Sequence, residues 1–175
     1  MKIVRLLVLF ATAVGLLLAT LPAAAAATVH APTSVRAFVG VAHLSGGEEV
    51  PPVQTAARGL AVFWLRPDGS GLQFDLSTVG LTNVTGGHIH LGAPGVNGPV
   101  VVNLVQPDSC TIRSTILRCT GTITGDDLTG PLAGQTLDDL LAAMSAGSTY
   151  TNVHTTAHPG GEIRGQIDPT GAALG

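Results

Sequence analysis

The chain has 175 residues, of which 45% are hydrophobic and 11% are charged, with a formal net charge of −3 at pH 7. This length is enough for one domain with its own hydrophobic core. The few basic residues form no cluster, which excludes nucleic acids and anionic membrane surfaces as partners.

The first 27 residues are typical of a secretory signal peptide. Two basic residues precede an apolar run over 6–21, and alanines at 25–27 provide the small residues of a cleavage site. The apolar run is shorter than the roughly 20 residues that span a bilayer, so cleavage is favoured over a retained anchor. We therefore expect a secreted, extracytoplasmic protein with no stable membrane span after cleavage. Its mature form would carry six arginines, no lysine and eleven acidic residues.

Cys110 and Cys119 are the only cysteines. Export would place them where disulfides persist, and a bridge between them would close a hairpin or loop formed by residues 111–118. A loop of this size gives a stabilisation of about 2.5 to 3 kcal/mol in the chain-entropy model. The spacing is not that of a redox-active CxxC pair, so we predict a structural disulfide, with cysteine metal ligation as the alternative.

Short β-like segments separated by Gly, Pro, Asp and Asn predict an all-β fold. Seven or eight strands and one short helix, over about residues 135–146, are typical of an antiparallel β-sandwich or flattened barrel. Residues 28–35 are expected to form a flexible N-terminal segment, and residues 169–175 a disordered tail. The expected strands cover residues 35–44, 58–65, 72–79, 84–91, 100–105, 119–124, 150–155 and 161–167.

Two segments far apart in sequence carry histidines. His88 and His90 are two residues apart on one expected strand, so their side chains point to the same face. If the strand that carries His154 pairs nearby, three imidazoles meet, and such a set suits copper, zinc, nickel or iron. The alternative is that these rings are structural, with hydrogen bonds to backbone or water.

Three separated motifs carry a family resemblance. They are the segment from Leu44 to Val53, which includes Glu48-Glu49-Val50-Pro51-Pro52, then His88-Ile89-His90-Leu91-Gly92-Ala93-Pro94-Gly95, and finally Tyr150–Thr155 with Pro159–Gln166. Together, and in this order, they resemble the CHRD domain, first noted in chordin and present as a lone secreted domain in bacteria. The resemblance covers residues 36–168. The family has no established activity.

The resemblance implies an immunoglobulin-like β-barrel with distant similarity to copper/zinc superoxide dismutases. Those enzymes bind copper through an H-x-H pair on one strand and a third histidine on a later strand. By this analogy His88, His90 and His154 are the candidate copper ligands, with zinc as the alternative metal. A second set of ligands that resembles the zinc site is missing. His158 and His43 are further candidates whose reach the sequence leaves open.

Two groups of acidic residues invite a functional interpretation. Glu162 is a candidate acceptor for a histidine N–H, which would orient a metal ligand, and the alternative is a structural clamp on the last strand. Glu48 and Glu49 are adjacent in an extended segment, so their side chains point apart. We expect one of them to be structural and the other solvated, rather than a catalytic pair.

Three functions are compatible with these features. The first is an extracytoplasmic binding module with a transition-metal site, and the second is a protein or matrix interaction module with structural histidines. A copper redox enzyme of dismutase type ranks third, because a fold analogy alone does not establish chemistry. We predict no catalytic residues and no partner among nucleic acids.

Overall fold

The computed structural model describes residues 37–170. Ten antiparallel strands form one sheet that curls into a half-barrel, and a single α-helix precedes the last three strands. The predicted all-β class, with one short helix, is confirmed. The expected signal peptide at residues 1–27, the N-terminal segment at 28–35 and residues 171–175 lie outside the described part of the chain.

The strands follow the order β5-β4-β8-β9-β1-β2-β3-β7-β6, and β10 pairs with β1. Their bounds are β1 Val39–Ser45, β2 Arg58–Leu65, β3 Leu72–Val79, β4 Val84–Leu91, β5 Val100–Asn103, β6 Cys110–Arg113, β7 Ile116–Ile123, β8 Thr149–Thr155, β9 Ile163–Gln166 and β10 Asp168–Pro169. Helix α1 spans Leu137–Ser145. No helix among residues 37–170 is long and apolar enough to cross a membrane.

The core lies on the inner surface of the curled sheet. In β3 the apolar Leu72, Phe74 and Leu76 are buried and alternate with half-buried polar residues, as their spacing predicts. Ile89 of β4 and Ile163 of β9 enter the same cluster from the other half of the sheet. The outer face of β4, β8 and β9 is therefore free to carry polar side chains.

The two halves of the sheet meet at a narrow junction between β1 and β9. Only one residue pair, Ser45 and Arg164, is in register there. A Cβ atom at Gly165 would collide with the backbone carbonyl of His43, so this close approach of two strands requires glycine. The junction sets the position of Arg164 on the outer face.

Helix α1 begins with a reciprocal cap. The carboxylate of Asp139 accepts hydrogen bonds from the backbone N–H of Thr136 at 2.9 Å and from its hydroxyl at 2.6 Å. Leu140, Leu141 and Met144 are buried, which confirms the helical stripe as core packing.

Two features of the fold differ from the sequence-based expectation, and one prediction is confirmed. The sheet has ten strands rather than seven or eight, because β6 and the two-residue β10 are too short to leave a pattern. Asp168–Pro169 pairs with β1, so ordered pairing extends beyond residue 168, where disorder was expected to begin. The predicted Cys110–Cys119 disulfide is confirmed, and it joins directly opposed residues of the hairpin formed by β6 and β7.

Candidate metal centre

The pairing of β4 with β8 brings the three histidines together. Gly86 lies opposite His154, and His88 lies opposite Asn152. Since residues two apart on a strand share a face, His88, His90 and His154 all project from the outer face. A Cβ atom at Gly86 would lie 3.0 Å from Cε1 of His88. Because glycine has no side chain, the space beside Gly86 is open for the imidazole of His88.

The ligand atoms of the three histidines are close enough to share one ion. Nδ1 of His88 lies 3.0 Å from Nε2 of His154. One nitrogen from each of the three rings lies within 4.8 Å of the others, and among the described residues this is the one cluster of at least three His, Cys, Asp or Glu side chains with such spacing. The predicted convergence of these imidazoles is therefore present in the structure.

Two backbone carbonyls determine which ring nitrogens remain available. Nδ1 of His90 lies 2.8 Å from the carbonyl oxygen of Gly98, and Nδ1 of His154 lies 2.9 Å from that of Pro159. A carbonyl oxygen only accepts, so Nδ1 of His90 and Nδ1 of His154 carry the proton and each Nε2 keeps its lone pair. The lone pair of His154 accepts a hydrogen bond from the Nδ1–H of His88. Nε2 of His90 is buried and has no hydrogen-bond partner.

All three imidazoles are held in the neutral form that binds metals. Burial, together with the neighbouring His154 and His90, lowers the pKa of His88 from 6.5 to about 4. Burial likewise lowers the pKa of His90 and that of His154. At neutral pH a metal ion would therefore meet three neutral rings, each with one nitrogen that carries no proton, and would have no proton to displace from a charged imidazolium.

Aromatic and cationic groups support His90. The ring of Tyr150 stacks on that of His90 at 4.8 Å and 10°, and the guanidinium carbon of Arg164 lies 3.4 Å from the centroid of the same tyrosine ring. Arg164 also donates to the carbonyl of Val96 at 2.9 Å and to the side chain of Asn97 at 3.1 Å. It thereby holds the loop whose Gly98 carbonyl orients His90.

The CHRD domain model matches residues 41–167, nearly three quarters of the chain. The chain belongs to the CHRD family. No curated protein and no solved structure matches it significantly. The motifs that resemble the CHRD domain contain the histidine cluster and its supporting residues. One motif carries His88 and His90, and another carries His154, Pro159 and Arg164.

The remaining candidate residues of the CHRD domain lie outside the cluster. His43 is exposed on β1, and His158 lines a cavity of about 250 Å³ together with Glu49. Glu162 accepts hydrogen bonds from the hydroxyls of Thr55 at 2.8 Å and Thr155 at 2.7 Å, while the described partners of the histidine Nδ1 atoms are backbone carbonyls and a second imidazole. Glu162 thus clamps neighbouring segments of the domain.

An enzyme of dismutase type would need a cation that guides an anionic substrate to the site, and Arg164 is the candidate near the histidines in sequence. The structure instead buries it, with only 2% of its surface exposed and its guanidinium engaged by the loop. Because steering requires a charge in contact with solvent, Arg164 is a structural anchor of the CHRD domain.

Glu49 is buried and Glu48 is exposed, as expected for adjacent side chains that point apart. Oε1 of Glu49 and Oδ1 of Asn152 have no hydrogen-bond partner. Both side chains face Gly161, where a Cβ atom would collide with Oε1 of Glu49 and would lie 2.9 Å from Nδ2 of Asn152. A buried, polar and incompletely paired region thus adjoins the histidine cluster.

Glu49 should make the stability of the CHRD domain depend on pH. Burial raises its pKa from 4.5 to about 7, against the opposing effect of the Arg164 guanidinium. The folded state therefore keeps a proton that the unfolded state loses, and the free energy of unfolding should fall as pH rises from 4.5 to 7. After solvent screening the expected fall is about 1 to 3 kcal/mol.

Urea unfolding of wild-type protein and of Glu49→Gln at pH 5 and pH 8 measures this contribution. The variant cannot titrate at this position, so it should lack this fall in stability. The lowered pKa values of the three histidines make the free energy of unfolding rise with pH in both proteins. This contribution therefore cancels when the two proteins are compared. Equal pH dependence of the two proteins would rule out a buried, titrating Glu49.

Sequence reasoning missed Tyr150, Asn152 and Gly98. Tyr150 and Asn152 precede His154 by four and two residues. Because side chains alternate in direction along a strand, this spacing predicts that all three lie on the same face. No such signal exists for Gly98, because its carbonyl reaches His90 only through the path of the loop.

Proposed function

We propose that this CHRD domain is an extracytoplasmic binding module that holds a transition metal at His88, His90 and His154, with copper as the first candidate and zinc as the second. The observation that carries the proposal is Nε2 of His90, which is buried, has no partner and belongs to a group of three ligand atoms within 4.8 Å of one another. Leaving such an atom unpaired costs about 1 to 3 kcal/mol, and a bound ion would remove that cost.

The dimensions and the orientation of the rings fit a small transition metal. Metal–nitrogen bonds of about 2.0 to 2.1 Å place the nitrogens of a site roughly 3.3 to 3.6 Å apart, so modest ring rotations would bring the three atoms into position. Carbonyl acceptors already hold the rings of His90 and His154, as is usual for metal-ligating histidines. The three imidazoles would hold a bound ion, which would act there as a Lewis acid.

An extracytoplasmic location is part of the proposal. It is supported by the Cys110–Cys119 disulfide, which would be reduced in most cytosolic compartments, and by the signal-like composition of residues 1–27.

An interaction module is the second candidate function, and a different surface favours it. Apolar side chains are exposed on the outer face of β1, β2, β3 and β7, away from the histidines. They include Val39, Leu60, Trp64, Val79 and Ile116, each with 36% to 51% of its surface exposed. Exposed apolar residues on one sheet face are typical of protein contact surfaces. A dismutase-type enzyme ranks third, since Arg164 is buried and provides no guide for an anion.

Titration of the purified protein with Cu(II) and with Zn(II) tests the metal site. We expect one-to-one binding that is lost in the His88→Ala/His90→Ala variant and retained in His43→Ala, which removes an exposed imidazole on β1. Circular dichroism would verify that the double variant folds. Binding that survives in the double variant, or an absence of binding for Cu(II), Zn(II) and Cu(I) alike, would contradict the proposal and leave the interaction module.

A further inference from the structure

We infer that the three-histidine site is selective for a monovalent ion, Cu(I), over Cu(II) and Zn(II). The inference rests on the proposed function, namely that the cluster binds a metal, and it specifies the charge and type of the ion. Two independent properties of the site support it: the number and charge of its ligands, and the charges fixed around them.

The ligand set is small and neutral. It consists of His88, His90 and His154, and no carboxylate belongs to the cluster within residues 37–170. Nitrogen bases in a three-coordinate arrangement satisfy Cu(I), whereas Cu(II) and Zn(II) take at least four ligands and gain from anionic ones. His90 is 7% exposed and the ring of Tyr150 stacks on it, which limits the room for additional water ligands on that side.

The charge near the cluster is also unfavourable for a divalent ion. The buried guanidinium of Arg164 lies against Tyr150, whose ring stacks on His90. Of the nearby carboxyls, Glu162 is held by two threonine hydroxyls, and burial keeps Glu49 partly protonated near pH 7. A divalent ion would add two positive charges near the buried guanidinium of Arg164 and a monovalent ion only one, so repulsion and desolvation both favour Cu(I).

Competition titrations can measure this selectivity directly. Cu(I) would be titrated anaerobically against a chromophoric Cu(I) chelator, and Cu(II) and Zn(II) against chelators of known affinity for each. We expect Cu(I) to bind at least ~100-fold more tightly than Cu(II) or Zn(II). The same preference should raise the reduction potential of the bound copper by about 59 mV for each tenfold ratio between Cu(I) and Cu(II).

Asn152→Asp tests the physical cause. Asn152 lies opposite His88 on the histidine face, is 2% exposed and has an unpaired Oδ1 atom, so this nearly isosteric change would add a carboxylate beside the cluster. We expect it to raise the affinity for Cu(II) and Zn(II) relative to Cu(I) by about tenfold or more. Gln73→Glu on the outer face of β3 makes the same amide-to-carboxylate change and should leave the ratio unaltered.

The outcomes separate the two proposals. Histidine-dependent binding in which Cu(II) or Zn(II) equals or exceeds Cu(I) in affinity would overturn the selectivity and leave the metal site intact. An absence of binding for all three ions would overturn the metal site itself. Tighter binding of Cu(I) than of Cu(II) and Zn(II) would support both the metal site and its selectivity, provided that the ratio of these affinities shifts in Asn152→Asp and not in Gln73→Glu.

Discussion

Replacing Arg164 with alanine should lower the free energy of unfolding by about 3 to 5 kcal/mol, the largest loss that we expect from a single polar substitution in this protein. The guanidinium donates to the carbonyl of Val96 and to Asn97, and it stacks on Tyr150. Alanine would remove these part-buried hydrogen bonds and the stacking contact, and would open a cavity where the buried side chain of Arg164 now lies at the junction of β1 and β9. Chemical denaturation monitored by circular dichroism measures the loss.

Arg118→Ala is the matched control. Arg118 forms an ion pair with Asp75 at 2.6 Å, but 64% of its side-chain surface is exposed. An exposed pair contributes less than about 1 kcal/mol, so this variant should be nearly as stable as the wild type. Similar losses in the two variants would contradict the assignment of Arg164 as the anchor of the loop over the histidine face.

His154→Ala should lower the affinity for the bound metal at least ~100-fold, while His158→Ala should leave it within about twofold. The two histidines are four residues apart, yet only His154 places a nitrogen in the cluster, 3.0 Å from that of His88. His158 lines the neighbouring cavity and contacts Thr155 through its backbone N–H. Isothermal titration of both variants with the same ion measures the difference.

Either of two results would contradict this assignment. An equal loss in the two variants would place His158 among the ligands, and an unchanged affinity in His154→Ala would exclude a three-histidine site. Thermal unfolding of each metal-free variant would separate a loss of ligand from a loss of fold, because neither position belongs to the apolar core.

The histidine pair on β4 illustrates how much local periodicity can predict. His88 and His90 share a face because they are two residues apart on a strand. The bounds of β2, β3 and β4 agree with the segments predicted from β-like composition and flanking turn residues, with apolar and polar residues alternating in β3. The stripe of helix α1 was equally readable. In contrast, β6 has four residues, three of them exposed, and so it leaves no apolar alternation that could identify it.

The site as a whole depended on pairings that no local pattern encodes. Two of these pairings connect residues distant in the chain, namely Gly86 with His154 and Ser45 with Arg164. The third, between His90 and Gly98, depends on the bend of the loop that separates them. For the same reason the burial of Arg164 was not foreseen, since its sequence neighbours are compatible with an exposed position.

The sequence by itself therefore determined the all-β class, the family, the disulfide partners and the identity of the three histidines, because these depend on residue type, period and motif order. The tertiary structure alone decided which nitrogen of His90 and of His154 keeps its lone pair, how Glu49, Glu162 and Arg164 are placed around the cluster and what charge surrounds it. Those properties arise from desolvation and from hydrogen bonds between distant segments, and both exist only after the sheet has curled and its loops have closed over the outer face.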